Sequence, residues 1–213
     1  MSDIYFDIES EPKDEKDVIF PEFKANKNIK DEEKKKENIK QKRLDFMRDA
    51  QLNPFASRVC AIGYLDGESL KLPPRNFSEG DMLEAFLSIS GNTRVRMIGY
   101  GIKLYDLEFI WKRCMINGLK VRSSIRTMSK RWVNWSDRFI DLMDVWGKDH
   151  NNKNVGLSYL AKNLGVARPR NYEVEATTFY KYWKSDNQED VDKATMYLSD
   201  DLREAKAIGE RIL

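Results

Sequence analysis

The chain carries one histidine, His150, and two cysteines, Cys60 and Cys114, in 213 residues. A tetrahedral zinc site or a histidine-centred nucleophilic triad needs more imidazoles or a thiol cluster, so both are excluded as organising chemistries. The two cysteines lack ligand spacing and sit in apolar surroundings, which predicts buried free thiols of a reducing compartment. His150 lies in the polar stretch Gly147-Lys148-Asp149-His150-Asn151-Asn152, which predicts an exposed loop. No apolar run is long enough to cross a membrane. The N-terminus meets Asp3 and Asp7 almost at once, which excludes a secretory signal there and predicts a cytoplasmic protein. Net charge is only +2. Any nucleic-acid contact must therefore come from local basic patches rather than from the average.

What is present begins at residues 4–9. Ile4, Phe6 and Ile8 alternate with Tyr5, Asp7 and Glu9, and a period of two predicts a strand over 2–9. Asp7 and Glu9 then share one face, roughly 6.5–7 Å apart along the strand. Crowded carboxylates need a positive group between them, and a divalent metal is the usual one. Asp-x-Glu recurs at Asp31/Glu33, Asp66/Glu68 and Asp106/Glu108, but only the first lies in an alternating apolar strand. The alternative is an edge strand with a solvated acidic face.

Near the C-terminus, Ala194, Leu198, Leu202, Ala205, Ile208 and Ile212 form the apolar stripe of a helix over 188–212. Tyr197 and Asp201 stack one turn apart on it. Asp201 falls at the margin of the stripe, so it needs a cation. Asp200 points about 100° away and reads as an ordinary solvated acid. Mid-chain, the strand 95–99 leads through Gly99-Tyr100-Gly101-Ile102-Lys103-Leu104-Tyr105 to Asp106 at the start of a helix over 106–117. Taken alone, Asp106 reads as a helix cap.

The remaining elements alternate strands with helices, which predicts an α/β layer arrangement with the sheet in the middle. A hairpin turns at Asp66-Gly67 between 59–64 and 70–72. A helix over 79–90 starts at the N-cap Ser78 and stops at Gly91. A short strand covers Phe139-Ile140-Asp141-Leu142, and further helices lie near 156–164 and 175–185. Residues 24–43 hold nine Lys/Arg against four Asp/Glu, which makes 31–51 a mostly solvated helix within a variable insertion at about 10–53. Arg122, Arg126, Lys130, Arg131 and Arg138 interleave with Trp132 and Trp135. That composition suits phosphate neutralisation and base stacking on a single strand, with Lys130, Arg131, Trp132, Trp135 and Arg138 as candidate contacts. The alternative makes both tryptophans core residues.

In this order, the Asp-x-Glu strand, the Gly-rich turn ending in Tyr-Asp and the Tyr-x-x-x-Asp helix resemble the DEDD superfamily of 3′–5′ exonucleases. The tyrosine variant is the nearer likeness, in particular stand-alone proteins related to the proofreading domain of family B DNA polymerases. Leu52-Asn53-Pro54-Phe55, Arg58 through Tyr64, Ser136 through Asp144 and Gly156 through Gly165 extend the likeness over nearly the whole chain. One departure is Tyr100-Gly101 where that family usually has His-Asn. The resemblance implies a single ribonuclease H-like domain over 1–213, with a mixed five-stranded sheet flanked by helices. It implies two divalent cations, Mg²⁺ or Mn²⁺, held by Asp7, Glu9, Asp106 and Asp201, with Tyr197 orienting the attacking water. The implied substrate is single-stranded nucleic acid, DNA ahead of RNA, cut from its 3′ end to nucleoside 5′-monophosphates. The chain contains no polymerase region, so a proofreading role requires a separate replication or repair protein. The competing functions are an exoribonuclease of the same superfamily and a docking module with little catalysis.

Overall fold

The first strand sets the frame. A computed structural model describes residues 1–121, 138–170 and 172–213. In it β1 runs Ser2–Pro12. The other strands are β2 (Ser57–Asp66), β3 (Ser69–Lys71), β4 (Val95–Gly99) and β5 (Phe139–Asp141). Their order across the sheet is β3-β2-β1-β4-β5. β4 runs parallel to both β1 and β5, with Tyr5 opposite Ile98 and Met97 opposite Phe139, while β3 is antiparallel to β2. The sheet is therefore mixed, and β1 is its central strand. That removes the edge-strand alternative for Asp7 and Glu9: both faces of β1 are covered, and Phe6 and Ile8 are as buried as Tyr5.

The alternation along β1 divides the interior. Phe6 and Ile8 pack with Met82, Leu83 and Phe86 of α2 (Glu79–Gly91) and Leu107 and Ile110 of α3 (Asp106–Ile116). On the other face Tyr5 packs with Leu198, Leu202, Ala205 and Ile208 of the C-terminal helix α7 (Gln188–Ile212). Its buried positions include the sequence stripe from Ala194 to Ile208, with Ile212 partly buried, and Leu198 and Leu202 press onto β2 at Gly63. A Cβ there would lie 2.9 Å from both side chains. Three short helices, α4 (Leu142–Trp146), α5 (Leu157–Asn163) and α6 (Phe179–Trp183), complete the α7 side. This is an α/β fold of the ribonuclease H-like kind: a mixed five-stranded sheet between helices.

Local chemistry sets the element ends. Ser78 caps α2 in a capping box with Asp81, as its sequence position predicts. Gly91 is the last residue of that helix and Asn92 its C-cap. α6 is shorter than the predicted 175–185. Thr178 bonds back to Glu175 through both its amide and its hydroxyl, and this local alternative competes with a helical first turn. Glu79 ties α2 to α3, accepting from Arg113 Nε at 2.7 Å and Nη2 at 2.5 Å. Cys60 and Cys114 are buried free thiols, and His150 is exposed.

The chain divides into two compact units, Met1–Glu9 with Val59–Leu213, and Ser10–Arg58. The second unit contains α1 (Glu32–Arg48), which buries no residue, in keeping with its charged composition. Asp31 caps α1 by accepting from the Lys34 amide at 2.9 Å. The small core of this unit is Val18, Ala50 and Ala56, with Phe20, Phe46 and Met47 packed on it. Ser10 and Gln51 bond each other reciprocally, each donating to the other's carbonyl at 2.9 Å. No helix among the described residues is long and apolar enough to cross a membrane.

Candidate active site

β1 points Asp7 and Glu9 toward the α7 side of the sheet, and α7 brings Asp201 to meet them. One carboxylate oxygen from each of the three lies within 4.8 Å of the other two. Residues that the sequence separates by almost its full length thus share one position. Asp106 joins from β4. It is the first residue of α3, is 5% exposed, and makes no cap: Tyr105 is the N-cap, without a side-chain bond. The capping alternative therefore fails for Asp106. Its charge bears on Asp7 and on Glu9.

The turn that delivers Asp106 is built around a residue that the sequence pattern places only in a short strand. Asp141, at the end of β5, is 1% exposed. Its carboxylate accepts from the amides of Gly101 at 2.8 Å, Lys103 at 2.9 Å and Met143 at 3.0 Å. Gly101 takes φ +73° to make that approach, a conformation costly for other residues. At Gly99 a Cβ would meet the Ile102 side chain and stand 2.8 Å from the Phe6 carbonyl, so β4 can lie this close to β1 only with glycine there. Tyr100, the departure from the usual motif, donates from its hydroxyl to the Val155 carbonyl at 2.6 Å. That bond ties the turn to the segment before α5.

Burial is the leading influence on the charge of all four acids. Burial, then the neighbouring carboxylates Asp106 and Asp201, raise the Asp7 pKa well above the ordinary range. Burial and Asp7, Asp201 and Asp106 do the same to Glu9. Asp106 is pushed up to about 7, mainly by burial, against the opposing bonds from its own amide and that of Ile8. Asp201 is also raised by burial, though Arg170 and a bond from Tyr197 pull it back. Burial and the nearby acids raise the Tyr197 phenol, so it stays protonated at neutral pH.

Three features here escaped the sequence. Asp200 is not a solvated acid: it is 7% exposed and accepts from Arg168 Nε at 2.6 Å and the Tyr172 hydroxyl at 3.0 Å. The helical wheel gave its direction correctly but not the segment that covers it. Arg170 is the cation that Asp201 was expected to need, with Nη2 2.5 Å from Asp201 Oδ1 and 2.7 Å from Glu204 Oε2. Glu204, one turn beyond Asp201, is 1% exposed, and an acid at that spacing inside an apolar stripe was the available signal. Arg138 is placed before β5, donating to the carbonyls of Ser90 at 2.6 Å and Asn92 at 2.7 Å. It closes the end of α2 at the opposite end of the parallel strands from the four acids, so its guanidinium is committed to the fold rather than to the site. Lys130, Arg131, Trp132 and Trp135 lie outside the described residues.

A family model of the RNase_H superfamily matches residues 49–213. The chain belongs to the RNase_H superfamily. Membership points to nuclease chemistry on a nucleic-acid substrate. The match begins after β1, so it does not extend to Asp7 and Glu9. The fold is also similar to a family B DNA polymerase from the hyperthermophilic archaeon Pyrobaculum calidifontis, with TM-score 0.64 and 14% identity. That likeness covers 98% of this chain and 24% of the polymerase, so the chain spans about a quarter of that protein's length. No curated protein matches this RNase_H chain in sequence.

Proposed function

We propose that the chain is a metal-dependent 3′–5′ exonuclease acting on single-stranded nucleic acid, DNA ahead of RNA, and releasing nucleoside 5′-monophosphates. The observation that carries this reading is the meeting of Asp7, Glu9 and Asp201 within 4.8 Å, with the charge of Asp106 acting on Asp7 and Glu9 and with Tyr197 bonded to Asp201. The motif order supports the 3′–5′ polarity.

The donors suit a hard divalent cation. All are carboxylate oxygens, and Mg²⁺ takes such ligands at about 2.0–2.1 Å, so oxygens within 4.8 Å need only a small inward adjustment. Asp7, Glu9 and Asp201 would hold one ion, and Asp7 with Asp106 a second. When bound, such ions supply neutralisation of phosphate charge and a water acidified toward neutral pH. The protein's own residues do the rest. Tyr197 donates to Asp201 and presents its phenol oxygen as an acceptor that can aim a water. Its raised pKa keeps the phenol protonated at neutral pH, so it orients rather than deprotonates. Asp141 fixes the turn that holds Asp106 in register. A docking module has no physical reason to retain Asp7 and Glu9, whose pKa values burial and the neighbouring acids raise, since crowded carboxylates cost stability without a cation.

The test is digestion of 5′-labelled single-stranded DNA and RNA oligonucleotides in parallel, with Mg²⁺ or Mn²⁺ and with EDTA. A ladder shortening from the 3′ end only with metal is expected. Internal cutting from the outset, or equal cleavage in EDTA, refutes the reading.

A further inference from the structure

The segment Arg168-Pro169-Arg170 reaches α7 at three acidic positions, Asp200, Asp201 and Glu204. Arg168 takes Asp200 through Nε at 2.6 Å, and its amide donates to Glu204 Oε1 at 2.9 Å. Arg170 takes Asp201 and Glu204 through the same nitrogen. Proline between the arginines fixes the local backbone, so both side chains are held to this helix. The Arg170 guanidinium also lies 5.8 Å from the Tyr197 ring centroid.

These two acids differ in kind. Asp201 is one of the three carboxylates that converge within 4.8 Å, whereas Glu204 is not. Glu204 is 1% exposed, with its second oxygen engaged by the Arg168 amide. A guanidinium on Asp201 places a positive charge beside the position a divalent cation would take. Two cations at one carboxylate repel, and the bonded oxygen has less charge to give the second.

We infer that Arg170 is a built-in counter-cation, which neutralises Asp201 while the site lacks its metal, and that Glu204 is the anion that retains Arg170 when the metal claims Asp201. This rests on the metal-dependent reading above. Arg170 is thus a positioning residue whose charge sets how readily the site loads. Removing it should unburden Asp201 and tighten metal binding. Removing the Glu204 charge should leave Arg170 with Asp201 alone and weaken metal binding. A merely structural clamp would give neither pair of opposite signs.

The experiment is calorimetric titration of Mn²⁺ into full-length, chelator-stripped wild type, Arg170→Met, Arg170→Lys and Glu204→Gln at pH 8, with thermal unfolding of each with and without Mn²⁺. Arg170→Met should bind Mn²⁺ about tenfold more tightly, Glu204→Gln several-fold more weakly, and Arg170→Lys within about twofold of wild type. Without metal Arg170→Met should melt below wild type, and saturating Mn²⁺ should narrow that gap without closing it, since the bond to Glu204 is lost in both states. Unchanged or weaker Mn²⁺ binding by Arg170→Met overturns the inference, as does a melting deficit that metal leaves untouched. Should Glu204→Gln not fold, the Arg170 pair still decides. If wild type itself binds no Mn²⁺, the metal-dependent reading falls first, which separates the two failures.

Discussion

Replacing Asp7 by asparagine should stabilise the metal-free protein while abolishing its reaction. Two unit charges 4.8 Å apart repel by about 3.5 kcal/mol at an effective dielectric of about 20. Asp7 faces Glu9, Asp106 and Asp201 at once, so its ionisation meets several such terms. The full sum is not felt, because the raised pKa values mean that bound protons relieve part of it at neutral pH. A net gain of about 1–3 kcal/mol at pH 8 is the expected size. Asparagine keeps the shape and an acceptor for the Ile8 amide, so little is lost in packing. Chemical denaturation of both proteins at pH 8 in EDTA should show the variant more stable. Adding Mn²⁺ should reverse the order, since only wild type offers the full carboxylate set. At pH 4, where the acids are protonated in both proteins, the difference should vanish. A variant less stable than wild type in EDTA at pH 8, or one stabilised by Mn²⁺ as much as wild type, would refute the reasoning.

The same cluster fixes a pH slope. Asp106 has its folded pKa raised from 3.8 to about 7, so the folded state holds its proton over that window. Its contribution is complete below the unfolded pKa and is lost as pH rises through about 7, by about 4 kcal/mol at most. In EDTA, stability should therefore fall between pH 4 and 8, and Asp106→Asn should flatten that fall; a parallel curve counts against the assignment. Tyr197→Phe keeps the ring and removes one hydroxyl, so turnover should drop roughly 10²–10⁴-fold with Mn²⁺ affinity near normal. Single-turnover cleavage with parallel titration decides it, and unchanged turnover leaves Tyr197 as packing. Asp141→Ala strips the acceptor from three turn amides, which should cost about 3 kcal/mol or more. Denaturant midpoints measure it, and a loss below about 1 kcal/mol would show that the turn holds itself.

Local periodicity carried most of the site into view. Period two on β1 paired Asp7 with Glu9, and the i, i+4 spacing on α7 paired Tyr197 with Asp201. The strand 95–99, the cap at Ser78 and the solvated insertion helix are likewise local patterns, and each is found where its pattern placed it. What periodicity does not encode is which distant segment covers a given face. Asp200 read as solvated because nothing nearby announces Arg168 and Tyr172. Asp106 read as a cap because its true surroundings come from β1. Asp141 was invisible as an anchor because its three donors lie on the turn after β4 and at the start of α4. β1 itself could have been an edge, and only its pairing made it central.

The order in which the acids occur along the chain has a consequence for how the protein is made. Asp7 and Glu9 are synthesised first, Asp106 midway, and Tyr197 and Asp201 near the end, while the sheet that holds them pairs β1 with β4 rather than with a sequence neighbour. A ribosome-bound chain that has not yet released α7 has two of the three converging carboxylates but neither the third nor the tyrosine. The helix that completes the chemistry also covers one face of the sheet, so folding and activation arrive together. Translation that stops before residue 197 should leave an exposed apolar sheet face and no competent site. Partial products would then be targets for degradation rather than stray nucleases.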